Sequence, residues 1–137
     1  MYKYSILFID DDEVHNFVMK SYLEHLKAPI NASFLVNAEK ALDLLNETDY
    51  ENWPSIIVVD LKMPVMEGFS FIEQLQANHP KCNNHTCIVV LTASISPLDK
   101  EKSKEFSIIN QYLVNPLTGV SITKMIDKCL SSIEHSA

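Results

Sequence analysis

Two short apolar runs in this sequence end abruptly in carboxylates. Residues 6–9 are followed by three aspartates at 10–12, and residues 56–59 are followed by Asp60. If both runs are neighbouring parallel strands, their carboxyl ends lie at one edge of a sheet, where open α/β sheets bind ligands. Carboxylates that lie this close repel one another unless a cation lies between them, and oxygen ligands suit a hard divalent ion. The sequence therefore predicts a Mg²⁺ site at this edge.

Composition limits the function classes. A chain of 137 residues with 47% hydrophobic and 21% charged residues indicates one globular domain over residues 1–137, with its core at about 4–133. All eleven basic residues are lysines, and the net charge is -7. Without arginine the chain has no bidentate guanidinium for phosphates or base edges, and its negative charge repels nucleic acid. We therefore expect no direct DNA binding.

Hydropathy and cysteine usage indicate a compartment. The sequence has no apolar stretch of the length that spans a membrane, about eighteen residues or more, and no basic leader before the first apolar run. The three cysteines, Cys82, Cys87 and Cys129, are odd in number and lack the spacing of a disulfide framework. We expect free thiols in a reducing compartment, no membrane segment and a cytoplasmic location.

Apolar runs of strand length alternate with segments of helical periodicity, which is the pattern of a parallel sheet covered on both faces by helices. The predicted strands share a near-continuous apolar character and comprise residues 4–9, 32–36, 56–60, 87–92 and 109–114. The predicted inward residues are Val14, Phe17, Val18, Tyr22 and Leu26 in the first helix, Ala38, Ala41, Leu42 and Leu45 in the second, Phe69, Ile72 and Gln76 in the third, and Ile122, Met125, Ile126, Cys129, Leu130 and Ile133 in the fifth. The fourth helix is predicted at residues 97–106.

The glycine content argues against a nucleotide-binding loop. Only Gly68 and Gly119 occur, so neither a G-x-G-x-x-G nor a G-x-x-x-x-G-K-[ST] motif is present. Gly68 closes the segment 60–68, in which Pro64 disfavours helix at the preceding residue and the glycine allows a tight turn into the third helix. We expect this loop to hold Asp60 exposed.

Two further motifs follow the later strands. The fourth strand ends in Leu91-Thr92-Ala93, and the fifth is followed by Asn115-Pro116. With the acidic cluster, the D-x-x-M-P-x-M-x-G segment after the third strand and these two motifs in order, the sequence resembles the receiver domain of bacterial response regulators. The resemblance covers residues from about 4 to 133. It implies a doubly wound α/β fold whose five-stranded parallel sheet has the flavodoxin-like order 2-1-3-4-5, and a signalling protein rather than an enzyme.

The resemblance also implies a phosphoacceptor site. Asp60 would take a phosphoryl group from a phosphohistidine on a sensor histidine kinase or phosphotransfer protein. Asp11 and Asp60 would bind Mg²⁺ directly, the backbone carbonyl of Lys62 would be a third protein ligand, and Asp10 would act mainly through water. Phosphoryl transfer needs in-line placement and charge neutralisation more than covalent help from the protein, which is why such a site requires a cation.

By the same resemblance, Thr92 would donate its hydroxyl to a phosphoryl oxygen, and Tyr112 would be the switch aromatic that turns inward when the threonine moves. The peptide bond before Pro116 would be cis. The face formed by the fourth helix, fifth strand and fifth helix would contact a downstream protein target or a second copy of the chain. We expect no output domain, so the signal would leave by protein contact.

Asn115 departs from the family pattern, which places a lysine before this proline. An amide donates only a neutral hydrogen bond, and charge-assisted bonds are about twice as strong, so a phosphoryl group at Asp60 would lose part of its anchor. Asn115 also suits a simple turn ahead of Pro116. The chain therefore has a second interpretation, as a phosphorylation-independent docking module. Lys62 is a candidate source of the missing charge.

Other interpretations of these residues stay open. Asp12 or Glu13 is a candidate helix cap. The D-x-D-x-V spelling at residues 10–14, with Leu91-Thr92, also matches the start of haloacid dehalogenase-type phosphohydrolases, although no paired acids follow at a later strand end. Two histidines and two cysteines at residues 79–87 suggest a zinc site, but their spacing differs from that of known zinc sites.

Overall fold

Strands and helices alternate along the chain, and the strands form one parallel sheet in the order β2-β1-β3-β4-β5. The computed structural model describes residues 4–26, 30–61, 68–93, 96–115 and 117–136. The strands are β1 (Tyr4–Ile9), β2 (Ile30–Leu35), β3 (Ile56–Asp60), β4 (Cys87–Thr92) and β5 (Ile109–Val114). The helices are α1 (Glu13–Leu26), α2 (Ala38–Glu47), α3 (Gly68–Asn78), α4 (Pro97–Ser103) and α5 (Gly119–Ser136), with short 3-10 helices at Tyr50–Asn52 and Cys82–Asn84.

The central strands are buried on both sides because helices cover both faces of the sheet. Successive residues alternate between two apolar cores. Ile57 and Val59 of β3 join a core that includes residues of α2 and α3, whereas Ile56 and Val58 join a core that includes residues of α1 and α5. The near-continuous apolar character of these strands is therefore explained by burial on two sides, and the predicted fold class is confirmed.

The register of the sheet brings the ends of the strands to one edge. Ile9 is opposite Val59, Asp60 is opposite Leu91, and Thr92 is opposite Val114. The bounds of β1, β3, β4 and β5 agree with the prediction. The predicted bounds of β2 are wrong by one or two residues, because its pairing with β1 already begins at Ile30 and the strand ends at Leu35.

The predicted inward face of α1 is wrong in most of its residues. Val14 and Phe17 are 73% and 70% exposed, and Val18 and Tyr22 are 37% and 36% exposed. The buried residues are instead Asn16 and Met19, with Leu23 and Leu26 packed partly against the same core. Asn16 is inward because its side-chain amide donates to the carbonyl of Asp10 (3.0 Å), a bond that offsets the cost of burying it.

The other helices follow the prediction more closely. The inward residues of α2 and most of those of α3 and α5 are buried as expected. The predicted end of α4 is wrong, since the helix ends at Ser103 and not at residue 106. The chain turns there, and the Phe106 ring then stacks on Phe69 at a centroid distance of 6.0 Å. None of the helices in the described part of the chain has the length and apolar character to cross a bilayer.

The cysteine prediction is wrong for two of the three residues. Cys87 of β4 and Cys129 of α5 form a disulfide, with their Cα atoms 5.4 Å apart. Both side chains face the core between the sheet and α5, and their separation of 42 residues gives no sign of this proximity. Cys82 is a free and buried thiol, and burial raises its pKa to about 11. The thiol argument for a reducing compartment therefore loses its support.

Candidate functional site

Three carboxylates meet at the edge of the sheet where β1 and β3 end. One oxygen from each of Asp10, Asp11 and Asp60 lies within 4.8 Å of the other two. Asp10 is 6% exposed, Asp60 is half-buried and Asp11 is exposed, so the cluster opens to solvent on one side. The juxtaposition predicted from the two apolar runs is thus present.

The backbone at Asp60 is fixed by a close approach of α3. The Gly68 N–H donates to the carbonyl of Leu61 (3.0 Å), and the Leu61 N–H donates to the carbonyl of Leu91 (3.1 Å). A Cβ atom at residue 68 would lie 2.5 Å from the carbonyl oxygen of Asp60 and 2.6 Å from the Cα of Leu61. Glycine is therefore required here by space, and it lets the first turn of α3 pack directly on the end of β3.

Asp12 caps α1. Its Oδ1 accepts hydrogen bonds from the N–H groups of Val14 (3.0 Å) and His15 (3.1 Å), which the helix itself leaves without partners. The predicted capping role of Asp12 is confirmed. Because the cap starts the helix directly after the acidic run, the first turn of α1 lies beside Asp10.

His15 belongs to the site, although no role was predicted for it. Its Nδ1 lies 2.7 Å from Oδ2 of Asp10. It also lines a cavity of about 270 Å³ together with Asp12, Asp60, Ala93 and Asn115. The signal for this placement is present in the sequence: with Asp12 as the cap, residue 15 is in the first helical turn, next to the end of β1.

The two strands beyond β3 contribute a hydroxyl and an amide. Thr92 is fully buried at the end of β4, and its carbonyl accepts the Asn115 N–H at 2.7 Å. The side-chain oxygen of Asn115 is shielded from solvent and has no hydrogen-bond partner among the described residues. The residues that line the cavity, within the described ranges, include no lysine.

Tyr112 lies two residues before the end of β5, opposite Val90. Its ring packs against the core that includes α2 and α3, and its hydroxyl has no hydrogen-bond partner in the described part of the chain. Burial raises the pKa of this phenol, and the nearby carboxylate of Asp99 adds a smaller effect in the same direction. Lys62 and Pro116, which were also assigned roles, lie outside the described residues.

The zinc interpretation gains no support from the geometry. Within the described ranges, the group of three metal-binding side chains that lie close together is Asp10, Asp11 and Asp60, which includes no histidine or cysteine. His79 instead bonds to the hydroxyl of Tyr50 (2.7 Å) and to the side chain of Asn46 (2.7 Å). The histidines near residues 79–87 therefore serve packing and hydrogen bonding.

Comparison with known proteins decides the family. A family model described as the response regulator receiver domain matches residues 6–127. This chain is a member of that family. Receiver domains belong to two-component signalling and are signalling modules rather than enzymes, so the match favours signalling over the phosphohydrolase interpretation.

Individual relatives agree with the family. A crystal structure of a two-component response regulator from Cytophaga hutchinsonii is 27% identical, covers 93% of this chain and 96% of that one, and superposes with a TM-score of 0.82. The chemotaxis protein CheY4 of Vibrio cholerae has the same fold, with a TM-score of 0.74 at 21% identity, over 92% of this chain and 98% of that one.

Among curated proteins, the sensory/regulatory protein RpfC of Xanthomonas campestris is 34% identical over 92 residues. The match covers 67% of this receiver domain and only 12% of that protein's length. The sensor histidine kinase CheAY of Helicobacter pylori is 26% identical over 129 residues, which is 93% of this chain and 15% of that protein. The chain therefore corresponds to a small part of these relatives.

Proposed function

We propose that this protein is a phosphoacceptor of a two-component phosphorelay, in which Asp60 receives a phosphoryl group from a phosphohistidine. The donor would be a sensor histidine kinase or a phosphotransfer protein. The observation that carries the proposal is the position of Asp60, which shares a carboxylate cluster with Asp10 and Asp11 and borders a cavity of about 270 Å³. The nucleophile thus has an approach from solvent and an anionic surrounding that requires a cation.

The donor set fits Mg²⁺. All the side-chain ligands are carboxylate oxygens, and a cluster with three negative charges favours a hard divalent ion. Asp11 and Asp60 would bind it directly, Asp10 mainly through water, and the carbonyl of Lys62 would complete the protein ligands. When bound, the cation would neutralise charge on the phosphoryl oxygens.

The transfer itself would form one bond and break another. A carboxylate oxygen of Asp60 bonds to phosphorus while the phosphorus–nitrogen bond of the donor breaks, and the donor imidazole leaves with the electron pair of that bond and keeps or gains a proton. The protein's contribution is placement, because this reaction needs in-line geometry more than covalent assistance. The packing of Gly68 on the end of β3 supplies the fixed position of Asp60.

Thr92 and Tyr112 would carry the change from the site to the surface. Thr92 lies at the end of the strand beside β3, so its hydroxyl is suited to follow a phosphoryl oxygen on Asp60. Tyr112 already packs inward, and its hydroxyl has no hydrogen-bond partner among the described residues. A buried hydroxyl without a partner costs about 1–3 kcal/mol. A second position of this ring that pairs the hydroxyl would recover that free energy. The face formed by α4, β5 and α5 would then bind a downstream protein, or a second copy of the chain.

The exposed side of α1 supports docking of a protein donor. Val14 and Phe17 are more than two-thirds exposed, and Val18 and Tyr22 extend the apolar surface along the helix. This surface begins at the turn that contributes Asp12 and His15 to the cavity wall. A donor domain that covers it would place its phosphohistidine near Asp60.

The direct test is phosphoryl labelling of the purified protein. Incubation with Mg²⁺ and phosphoramidate, followed by intact mass measurement, should show a gain of one phosphoryl group. The gain should be absent in Asp60→Asn and without Mg²⁺. It should persist in Asp43→Asn, which removes an exposed carboxylate on α2 far from the cluster in sequence. Equal labelling of the parent and Asp60→Asn would refute the proposal.

The second candidate function is a docking module that works without phosphate. It is favoured by Asn115, whose amide stands at the family's lysine position and whose oxygen has no partner within the described ranges. The substitution Asn115→Lys separates the two functions. If phosphate signals, the lysine should lengthen the lifetime of the phosphorylated form; if the chain never accepts phosphate, neither the parent nor the variant should be labelled, while partner binding stays intact.

The wider setting follows from the same reasoning. We propose that the protein acts in the cytoplasm, where histidine kinases present their phosphohistidines, and that residues 1–137 act as one receiver domain with a core at about 4–133. The net charge of -7 and the lack of arginine make direct DNA contact unfavourable.

A further inference from the structure

The first turn of α1 places an imidazole against the most buried carboxylate of the site. His15 Nδ1 is 2.7 Å from Asp10 Oδ2, and the two side chains are only 20% and 8% exposed. The cap formed by Asp12 fixes this arrangement, because it accepts the His15 N–H and starts the helix at the residue that follows it. The contact therefore joins two ordered side chains in a half-buried position.

Asp10 is held at three atoms. Its Oδ1 accepts the Asp12 N–H (2.9 Å), its Oδ2 contacts His15, and its carbonyl accepts the side-chain amide of Asn16 (3.0 Å). An ionised carboxylate can only accept hydrogen bonds, so Nδ1 of His15 carries the hydrogen in this contact. Each carboxylate oxygen then keeps a lone pair for a water molecule or a cation.

We propose that His15 is a positioning residue of the cation site: its Nδ1–H holds the Asp10 carboxylate in the orientation in which it clusters with Asp11 and Asp60. This inference rests on the proposed function. Without the His15 donor, the carboxylate would be held at Oδ1 alone, by the Asp12 N–H, and repulsion among the three carboxylates would favour its rotation about that bond, away from Asp11 and Asp60. Cation binding would then have to order the side chain and overcome that repulsion.

The size of the effect follows from how metal sites respond to their supporting residues. Partners that hydrogen-bond a ligand fix its direction, and their loss typically weakens metal binding about 10- to 100-fold. Asp10 acts mainly through water in the proposed site, so the lower end applies. We expect about a tenfold loss of Mg²⁺ affinity when the Nδ1 donor is removed.

Two substitutions separate positioning from general support of the helix. In His15→Asn the side-chain amide nitrogen replaces Nδ1, the same number of bonds from the backbone, and it still reaches Asp10. In His15→Gln the nitrogen falls where Nε2 was, and the donor to Asp10 is lost. Calorimetric titration of the full chain with Mg²⁺, at a pH above the usual titration range of histidine, should show weak binding for His15→Gln and near-parent binding for His15→Asn.

A double-mutant cycle assigns the effect to Asp10. In an Asp10→Asn background, His15→Gln should cause no further loss of Mg²⁺ affinity, because the group that it positions has lost its charge. Three results would overturn the inference. They are a Mg²⁺ affinity of His15→Gln equal to that of the parent, equally weak Mg²⁺ binding in both His15 variants, and a loss of Mg²⁺ affinity on His15→Gln that is as large in the Asp10→Asn background as in the parent. A change in urea stability without a change in affinity would also overturn it, since that is the result of a purely structural role.

Failure of the proposed function gives a different pattern. If the parent itself binds no Mg²⁺, the phosphoacceptor proposal fails. The hydrogen bond from His15 to Asp10 is then tested in the metal-free protein. The ring ¹⁵N chemical shifts of His15 should then report the Nδ1–H tautomer in the parent and a change of tautomer in Asp10→Ala. An Nε2–H tautomer in the parent would overturn the inference, whatever the metal result.

Discussion

Gly68 offers the sharpest test of how the fold positions Asp60, the proposed nucleophile. In Gly68→Ala the new Cβ would lie 2.5 Å from the Asp60 carbonyl oxygen, whereas ordinary contacts of this kind begin at 3.4 Å. The difference, 3.4 − 2.5 = 0.9 Å, must be taken up by backbone, because the atoms in the way belong to Asp60 and Leu61 and not to a flexible side chain. The end of β3 and the start of α3 must therefore separate.

Two effects of that displacement are expected. Forcing extra volume into a packed position costs about 1–3 kcal/mol, so the free energy of unfolding should fall by that amount. A shift of nearly 1 Å at a reacting group lowers rates by up to about 100-fold, so phosphoryl labelling of Asp60 should slow by between ten- and a hundredfold. Urea unfolding and the time course of phosphoramidate labelling measure the two effects separately.

Gly119→Ala is the matched control. It also places alanine at the first residue of a helix, but its Cβ would meet only the Tyr22 ring at an ordinary 3.9 Å. Neither glycine has a φ between +20° and +160°, so alanine is free of backbone strain at both positions. Gly119→Ala should leave labelling unchanged and alter stability by less than about 1 kcal/mol. Equal stability and labelling in the two variants would refute the argument that close packing at Gly68 holds Asp60.

Three further predictions concern other parts of the molecule. The Cys87–Cys129 disulfide should leave one thiol open to alkylation in denaturant, and reduction should lower the free energy of unfolding by roughly 4 kcal/mol for a loop of 42 residues; three alkylated thiols before reduction would contradict it. Burial lowers the pKa of both His79 and His85 from 6.5. Their contribution to the free energy of unfolding should therefore be full above pH 6.5 and be lost as the pH drops through the folded pKa. A rise in the urea midpoint on acidification through this range would contradict the lowered pKa values. Phe17→Ser should slow phosphorylation by a protein phosphohistidine donor but not by phosphoramidate, whereas Leu44→Ser, at an exposed apolar residue of α2, should affect neither; equal slowing with both donors would exclude a docking role for α1.

The fold is predictable from the sequence where burial is two-sided. The runs in β1, β3 and β4 are almost entirely apolar because helices pack on both faces, and such runs have few alternative structures. β2 lies at the edge of the sheet and alternates in burial, so its polar Asn31 hid the start of the strand.

The inward face of α1 could not be predicted from periodicity alone. Phe17 and Val18 mark one apolar stripe and Met19 and Leu23 mark another, so the pattern fits two rotations of the helix. The choice is made by a polar residue, Asn16, whose amide bonds to the end of β1. A hydrophobic pattern carries no information on such a bond.

Within the site, the strand ends predicted the cluster of Asp10, Asp11 and Asp60, because parallel register brings these ends together. The contact of His15 with Asp10 depends on where the helix begins, which is set by the Asp12 cap. The disulfide between β4 and α5 depends on the packing of two elements far apart in the chain, and cysteine count and spacing do not encode it.

The most direct test of the account is to locate the phosphoryl group chemically. After labelling with Mg²⁺ and phosphoramidate, borohydride reduces an acyl phosphate to an alcohol and so converts the modified aspartate to homoserine, which peptide mass mapping identifies by position. If Asp60 is the phosphoacceptor, homoserine should appear at position 60, with Asp10 and Asp11 unchanged. Homoserine at either of those two positions, or labelled protein without any homoserine, would contradict the claim that Asp60 is the phosphoacceptor.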